Sequence, residues 1–180
     1  MASAEEVNLS PPHAPHERAV EAFNHVLDTI KHEVKKSRYD WNKHEPRMWD
    51  RAGGLSDHDL VNFRVEEDLV EIRTGTVSYG TLIFGKIRIP AVNDDLGEGF
   101  IHVRCVDYAA VSVNPDSLRS YVFYHFFISM NRIHDPPNKG EEDVMFHSIF
   151  TKEGERDADG HPHLWRAIQT RDEPLEFFNE

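Results

Sequence analysis

The sequence predicts an α+β fold: a long N-terminal helix packed on an antiparallel meander or partial β-barrel. Three observations predict it. Val20, Phe23, Leu27, Ile30 and Val34 recur at spacings of three and four, which makes one apolar stripe on a helix from Glu17 to about Lys36. Short stretches of alternating polarity follow, and TLIFGKIRIP (81–90) is the clearest of them. Turn residues separate these stretches, as in an antiparallel sheet whose strands are joined by short connections.

Each element has its own warrant. Residues 1–15 hold three prolines and little apolar content and read as a flexible lead-in to a single domain over 16–180. Glu17 and Glu21 near the start of the helix, and Lys31, Lys35 and Lys36 near its end, suit the helix dipole. Tyr39, Trp41, Met48 and Trp49 fall in a linker broken by Pro46 and Gly53-Gly54, where they cover a core edge. Ser56 is an N-cap with Asp59 three residues on, predicting a short helix over 57–63. In DLVEIRT, Leu69, Glu71 and Arg73 alternate with Val70 and Ile72 as in a strand, although Val61, Val65, Leu69 and Ile72 also fit a helix. Ile83, Ile87 and Ile89 take one side of the next strand and Lys86 and Arg88 the other, and Pro90 stops it. AVNDDLGEG reads as a loop, GFIHVR, 143–151 and 163–170 as strands, and the tail DEPLEFFNE packs by Leu175, Phe177 and Phe178.

Composition bounds the function. The chain has 180 residues and a formal charge of −12, which repels phosphate backbones, so no nucleic-acid partner is expected. No apolar run is long enough to span a bilayer and the N-terminus lacks a secretory pattern, so no membrane partner is expected and the cytoplasm is the expected location. The single cysteine, Cys105, has no partner for an internal disulfide and no zinc-ligand spacing around it. Composition is silent on oligomeric state.

Residues 105–131 carry three charges while the other 153 residues carry 49, and they hold six of the 19 aromatics. Two readings fit. SYVFYHFFISM is a central strand buried on both faces, or residues 105–132 are a translated intron, which implies a eukaryotic source. An Arg codon ending in G before a Cys codon gives a donor site, and Asn followed by an AGG arginine gives an acceptor. Excision joins Arg104 to Ile133, and the join GEGFIHVRIHDPPN keeps the strand alternation.

Twelve histidines make imidazole chemistry the first place to look. His102 and Arg104 lie two apart on one strand and share a face; with His134 and His147 nearby they form a polar patch suited to a small polar or anionic molecule. The competing reading of the same residues is a solvated outer face of a half-exposed sheet. Three mid-strand histidines, His102, His125 and His147, do not form a recognisable ligand spacing, so no metal site and no cofactor is expected. GERDADGHPHLWR places acids as a calcium loop does, but Arg166 stands where a bidentate acid is needed, so it reads as a polar hairpin loop. Two functions follow: a ligand-binding domain or cofactor-free enzyme using His102, Arg104, His134 and His147, or a non-catalytic protein–protein interaction domain using aromatics around Trp41 and Trp49.

Overall fold

A computed structural model describes residues 6–41, 43, 48–78, 80–108, 144–154, 156, 158–161 and 165–179. His125, His134, His163 and most of the 105–132 stretch lie outside the described residues. The fold is α+β. Helices α1 (Glu17–His25), α2 (Leu27–Trp41), α3 (Asp57–Leu60) and α4 (Val65–Asp68) precede strands β1 (Leu69–Val77), β2 (Gly80–Asp94), β3 (Gly97–Asp107) and β4 (Val144–Ile149). These four strands form one antiparallel sheet in the order β1-β2-β3-β4, an open meander rather than a closed barrel. A two-stranded ribbon, β5 (Lys152–Glu153) and β6 (Trp165–Arg166), follows, with the polar GERDADGHPHL segment as its connection.

The single long helix expected from the stripe is two helices. Val26 leaves helical geometry at φ −102°, ψ 8°, yet it stays buried. The stripe therefore continues through the break, but it runs through Ala19, Ala22, Phe23, Val26, Ile30 and Val34. Val20 and Leu27 flank it, half-buried. The alanines carry too little apolar surface to register in a periodicity count, but their small size lets α1 approach the sheet closely.

Gly85 on β2 makes the same approach from the other side. A Cβ there would lie 2.3 Å from Phe23 Cζ. Phe23 is fully buried, so its ring has no free space to retreat into. Ile72, Ile83, Ile87, Ile101, Val103 and Cys105 complete this first face of the sheet. Trp49 is also core, with its indole Nε1 donating to Ser37 Oγ at 3.0 Å.

Other expectations are refined by local geometry. Ser56 caps α3 by accepting from Asp59 N, and its hydroxyl donates to Asp59 Oδ2. The segment that fits both helix and strand divides at Leu69, helical before it and extended after it. AVNDDLGEG is not a loop: β2 continues past Pro90 to Asp94 through an irregular stretch, and the turn is confined to Asp95 and Leu96. Gly97 follows with φ +83°, a conformation that favours glycine. Of the strand expected over 163–170, the described residues 165–170 supply Trp165–Arg166 and a bridge from Gln169 to Phe100. The lead-in, read as flexible, runs along β1 from residue 7: Ser10 N donates to Thr74 O, Thr76 N to Val7 O, and His13 and Ile72 exchange bonds.

Cys105, Val106 and Asp107, the first residues of the 105–132 stretch, complete β3 and pair with both β2 and β4. Excision would put Ile133, His134 and Asp135 at those three positions, again with an apolar residue first and an acid third.

Two outcomes are expected. Gly85→Ala forces Phe23 to move and lowers stability by about 1–3 kcal/mol, measured by urea unfolding; an unchanged midpoint contradicts the close approach of α1. On the excision reading, deleting residues 105–132 leaves a soluble domain with a cooperative thermal transition; a chain recovered only as aggregate contradicts that reading and favours the native strand.

Candidate functional site

The second face of the sheet carries the polar residues. The register places Glu71, Lys86 and His102 in one row across β1, β2 and β3, and Arg73, Phe84 and Arg104 in the next. His102 and Arg104 therefore share a face, as their spacing requires. This face is not solvated. Lys86, His102 and Arg104 are 5%, 1% and 4% exposed, because the C-terminal segment 171–179 lies across them.

The segment is held mainly by its own carbonyls. Lys86 Nζ donates to Arg171 O at 2.6 Å and Glu173 O at 2.7 Å. Arg73 Nη1 donates to Leu175 O at 2.9 Å, and its Nε to Ser10 O at 2.7 Å. Arg104 Nη1 reaches Asn179 O at 3.0 Å and Phe178 O at 3.3 Å. Three cations on one sheet face thus bind a single irregular strip of chain. Apolar contact adds to this: Leu175 and Phe178 are buried with Val7, Leu82, Phe84 and Val106. The ring of Phe178 meets that of Phe84 edge-on at 5.2 Å.

His102 lies beneath the strip, its ring stacked on Phe150 at 5.9 Å. Neither ring nitrogen has a hydrogen-bond partner, and Arg104 Nε also lacks one. An imidazole so placed stays neutral. Burial pushes its pKa down from 6.5 to about 3, and Lys86 and Lys152 add to that against the opposing charge of Glu173. Burial also lowers the Lys86 ammonium pKa, opposed by Glu71, Glu173 and Asp172. Glu173 itself is held below the usual carboxylate range: burial raises it, but bonds from Lys152 Nζ, Thr170 N and the Thr170 hydroxyl outweigh that.

The remaining sequence candidates lie elsewhere. His147 is exposed at the irregularity in β4, with its Nδ1 3.2 Å from Ser148 Oγ. His134 is outside the described residues. Cys105 faces the apolar side of the sheet, fully buried, with its thiol pKa pushed up by that burial. Arg73 and Lys86 were not among the sequence candidates. Arg73 stands on the polar side of an alternation that also fits a helix, and the alternation of β2 places Lys86 opposite the isoleucines without showing what covers it. Among the described residues no cluster of three or more metal-ligating side chains occurs, and no helix is long and apolar enough to cross a membrane. Compared with protein-family models, curated proteins and solved structures, the chain matches none.

The buried imidazole has a measurable consequence. Its folded pKa of about 3 lies below the unfolded 6.5. The stability it contributes is therefore complete above about pH 6.5 and is lost as pH falls toward 3, by about 1.4 kcal/mol per pH unit inside that window. His102→Phe removes the unpartnered nitrogens and this proton uptake. The expected result is equal or higher stability near neutral pH and a shallower acid limb in urea unfolding; parallel acid limbs contradict it.

Proposed function

We propose that the protein is a non-catalytic binding domain whose β2–β3 face takes a small oxyanion, a carboxylate or phosphate group, at Arg104, His102 and Lys86. One observation carries this reading. Among the described residues no carboxylate lies within ion-pair distance of the buried Lys86 and Arg104 or of the half-buried Arg73, so these cations are answered by neutral carbonyls. A bond from a cation to a carbonyl is already charge-assisted, but an ionised acceptor adds the attraction of opposite charges, which a site shielded from water screens less than bulk solvent does. An oxyanion at this face exchanges neutral acceptors for charged ones. It also supplies an acceptor for Arg104 Nε and for an N–H of His102, both unmet in the present arrangement.

Binding is favoured over catalysis by the state of the groups. General acid–base work needs a pKa near the working pH, and His102 is held far below it. Cys105 points away from this face and is held as the thiol. The interaction-domain alternative loses Trp49 to the core and retains the exposed Tyr39 and Trp41.

Titration calorimetry with inorganic phosphate and with acetate tests the reading. Wild-type protein is expected to bind at one site, and Arg104→Gln to weaken binding at least tenfold, a loss of about 1.4 kcal/mol. Saturable binding that is indifferent to Arg104→Gln, or no binding of either anion, overturns it.

A further inference from the structure

Resting on that oxyanion reading, we infer that residues 171–179 are an autoinhibitory plug: they occupy the site with their carbonyls and are displaced when the anion binds. The segment has no helix and no strand pairing of its own. Upstream of it, Gln169 is fixed to β3, where its N–H and C=O exchange bonds with Phe100 at 2.7 and 3.0 Å. Arg51 adds a bond to Gln169 O at 3.0 Å. The strip can therefore lift from about residue 171 without disturbing the sheet.

Its attachments are of the kind that an anion replaces. Every direct bond from Lys86 goes to its carbonyls, and so does one from Arg73. Arg104 donates to Phe178 O and Asn179 O and, at 3.4 Å, to Asn179 Oδ1. Other ties include the ion pairs of Arg171 with Glu98 and of Glu173 with Lys152, and ring contacts of Phe177 with Phe84 at 5.6 Å and of Phe178 with Phe150 at 5.1 Å. Arg171, Asp172, Pro174 and Glu176 are exposed, so only Leu175 and Phe178 are fully anchored. The fit is also incomplete, since the strip leaves both nitrogens of His102 and Arg104 Nε unmatched beneath it. A segment selected only to cover the sheet would leave an apolar floor under itself. This one covers buried donors that it does not satisfy.

Segment and anion then compete for the same donors, so the apparent affinity falls by the fraction of molecules in which the strip is lifted. Loosening the strip raises that fraction. Phe178→Ser removes one of its two buried apolar anchors and leaves Arg104, His102 and Lys86 in place. The experiment pairs phosphate titration of wild type and Phe178→Ser with amide hydrogen exchange of wild-type protein, with and without phosphate. Phosphate is expected to bind Phe178→Ser about tenfold more tightly than wild type. In wild type, amides of 175–179 are expected to exchange through openings that leave β2 and β3 protected, and faster with phosphate bound. Equal affinity of the two chains overturns the plug and leaves the oxyanion site standing. No phosphate binding by either chain overturns both. Should Phe178→Ser not fold, the wild-type exchange decides: tail amides that open only with β2 and β3, or are unmoved by saturating phosphate, overturn the plug.

Discussion

The structure depends on one constraint: two cations on the second face of the sheet, Lys86 and Arg104, are removed from water and a third, Arg73, partly so, and all must be given acceptors. Taking a charged side chain out of water costs several kcal/mol even after relaxation unless hydrogen bonds replace its hydration. Arg73, Lys86 and Arg104 obtain those bonds from main-chain carbonyls of segment 171–179 and, through Arg73, from Ser10. Both ends of the chain are thereby drawn onto one side of the sheet. The lead-in follows β1 and the tail crosses β2 and β3, and the two meet where Val7 and Leu175 share an apolar cluster.

The two faces of the sheet are covered in different ways. The first face is covered by helices at close range, which Ala19, Ala22 and Gly85 allow and which the Phe23 ring fills. That side is a packed core with little latitude for change. The second face is covered by irregular chain over a mixed floor of cations, aromatics and an uncharged imidazole. Its cover contributes stability through Leu175 and Phe178 but leaves polar capacity unmet in His102 and Arg104. Unmet buried polar groups are rare and call for a reason. A binding role supplies one for His102 and Arg104, because a charged acceptor would engage the Arg104 Nε–H and a His102 N–H; Gln169 Oε1, also unmet, is itself an acceptor and is not explained by it.

Much of this was legible in the residues. The alternation of β2 and β3 was plain, and it placed His102 and Arg104 on one side. Ser56 and Asp59 announced the α3 cap. The packing of the tail through Leu175 and Phe178 was legible as well; what could not be read was which groups it covers. Segment 171–179 has no periodicity, since its grip is through carbonyls that every residue possesses, so nothing in DEPLEFFNE announces that Lys86 and Arg104 hold it. For the same reason the alternation set Lys86 and Arg73 on the polar sides of their strands without marking either as part of the site. The break at Val26 was hidden because its buried side chain preserves the stripe on which the helix was judged. Trp49 sat in a linker by composition, yet its ring is core and only its indole N–H keeps a polar contact.

The central claim is that the cations and the imidazole under the tail are poised for an acceptor better than the tail itself. The most direct measurement follows the Arg104 Nε–H proton and the His102 ring nitrogens by nuclear magnetic resonance as phosphate is added near neutral pH. The account predicts that the Arg104 Nε–H moves to a hydrogen-bonded position and that a His102 ring nitrogen shifts with it. Saturating phosphate that leaves both sets of resonances where they began would contradict the account.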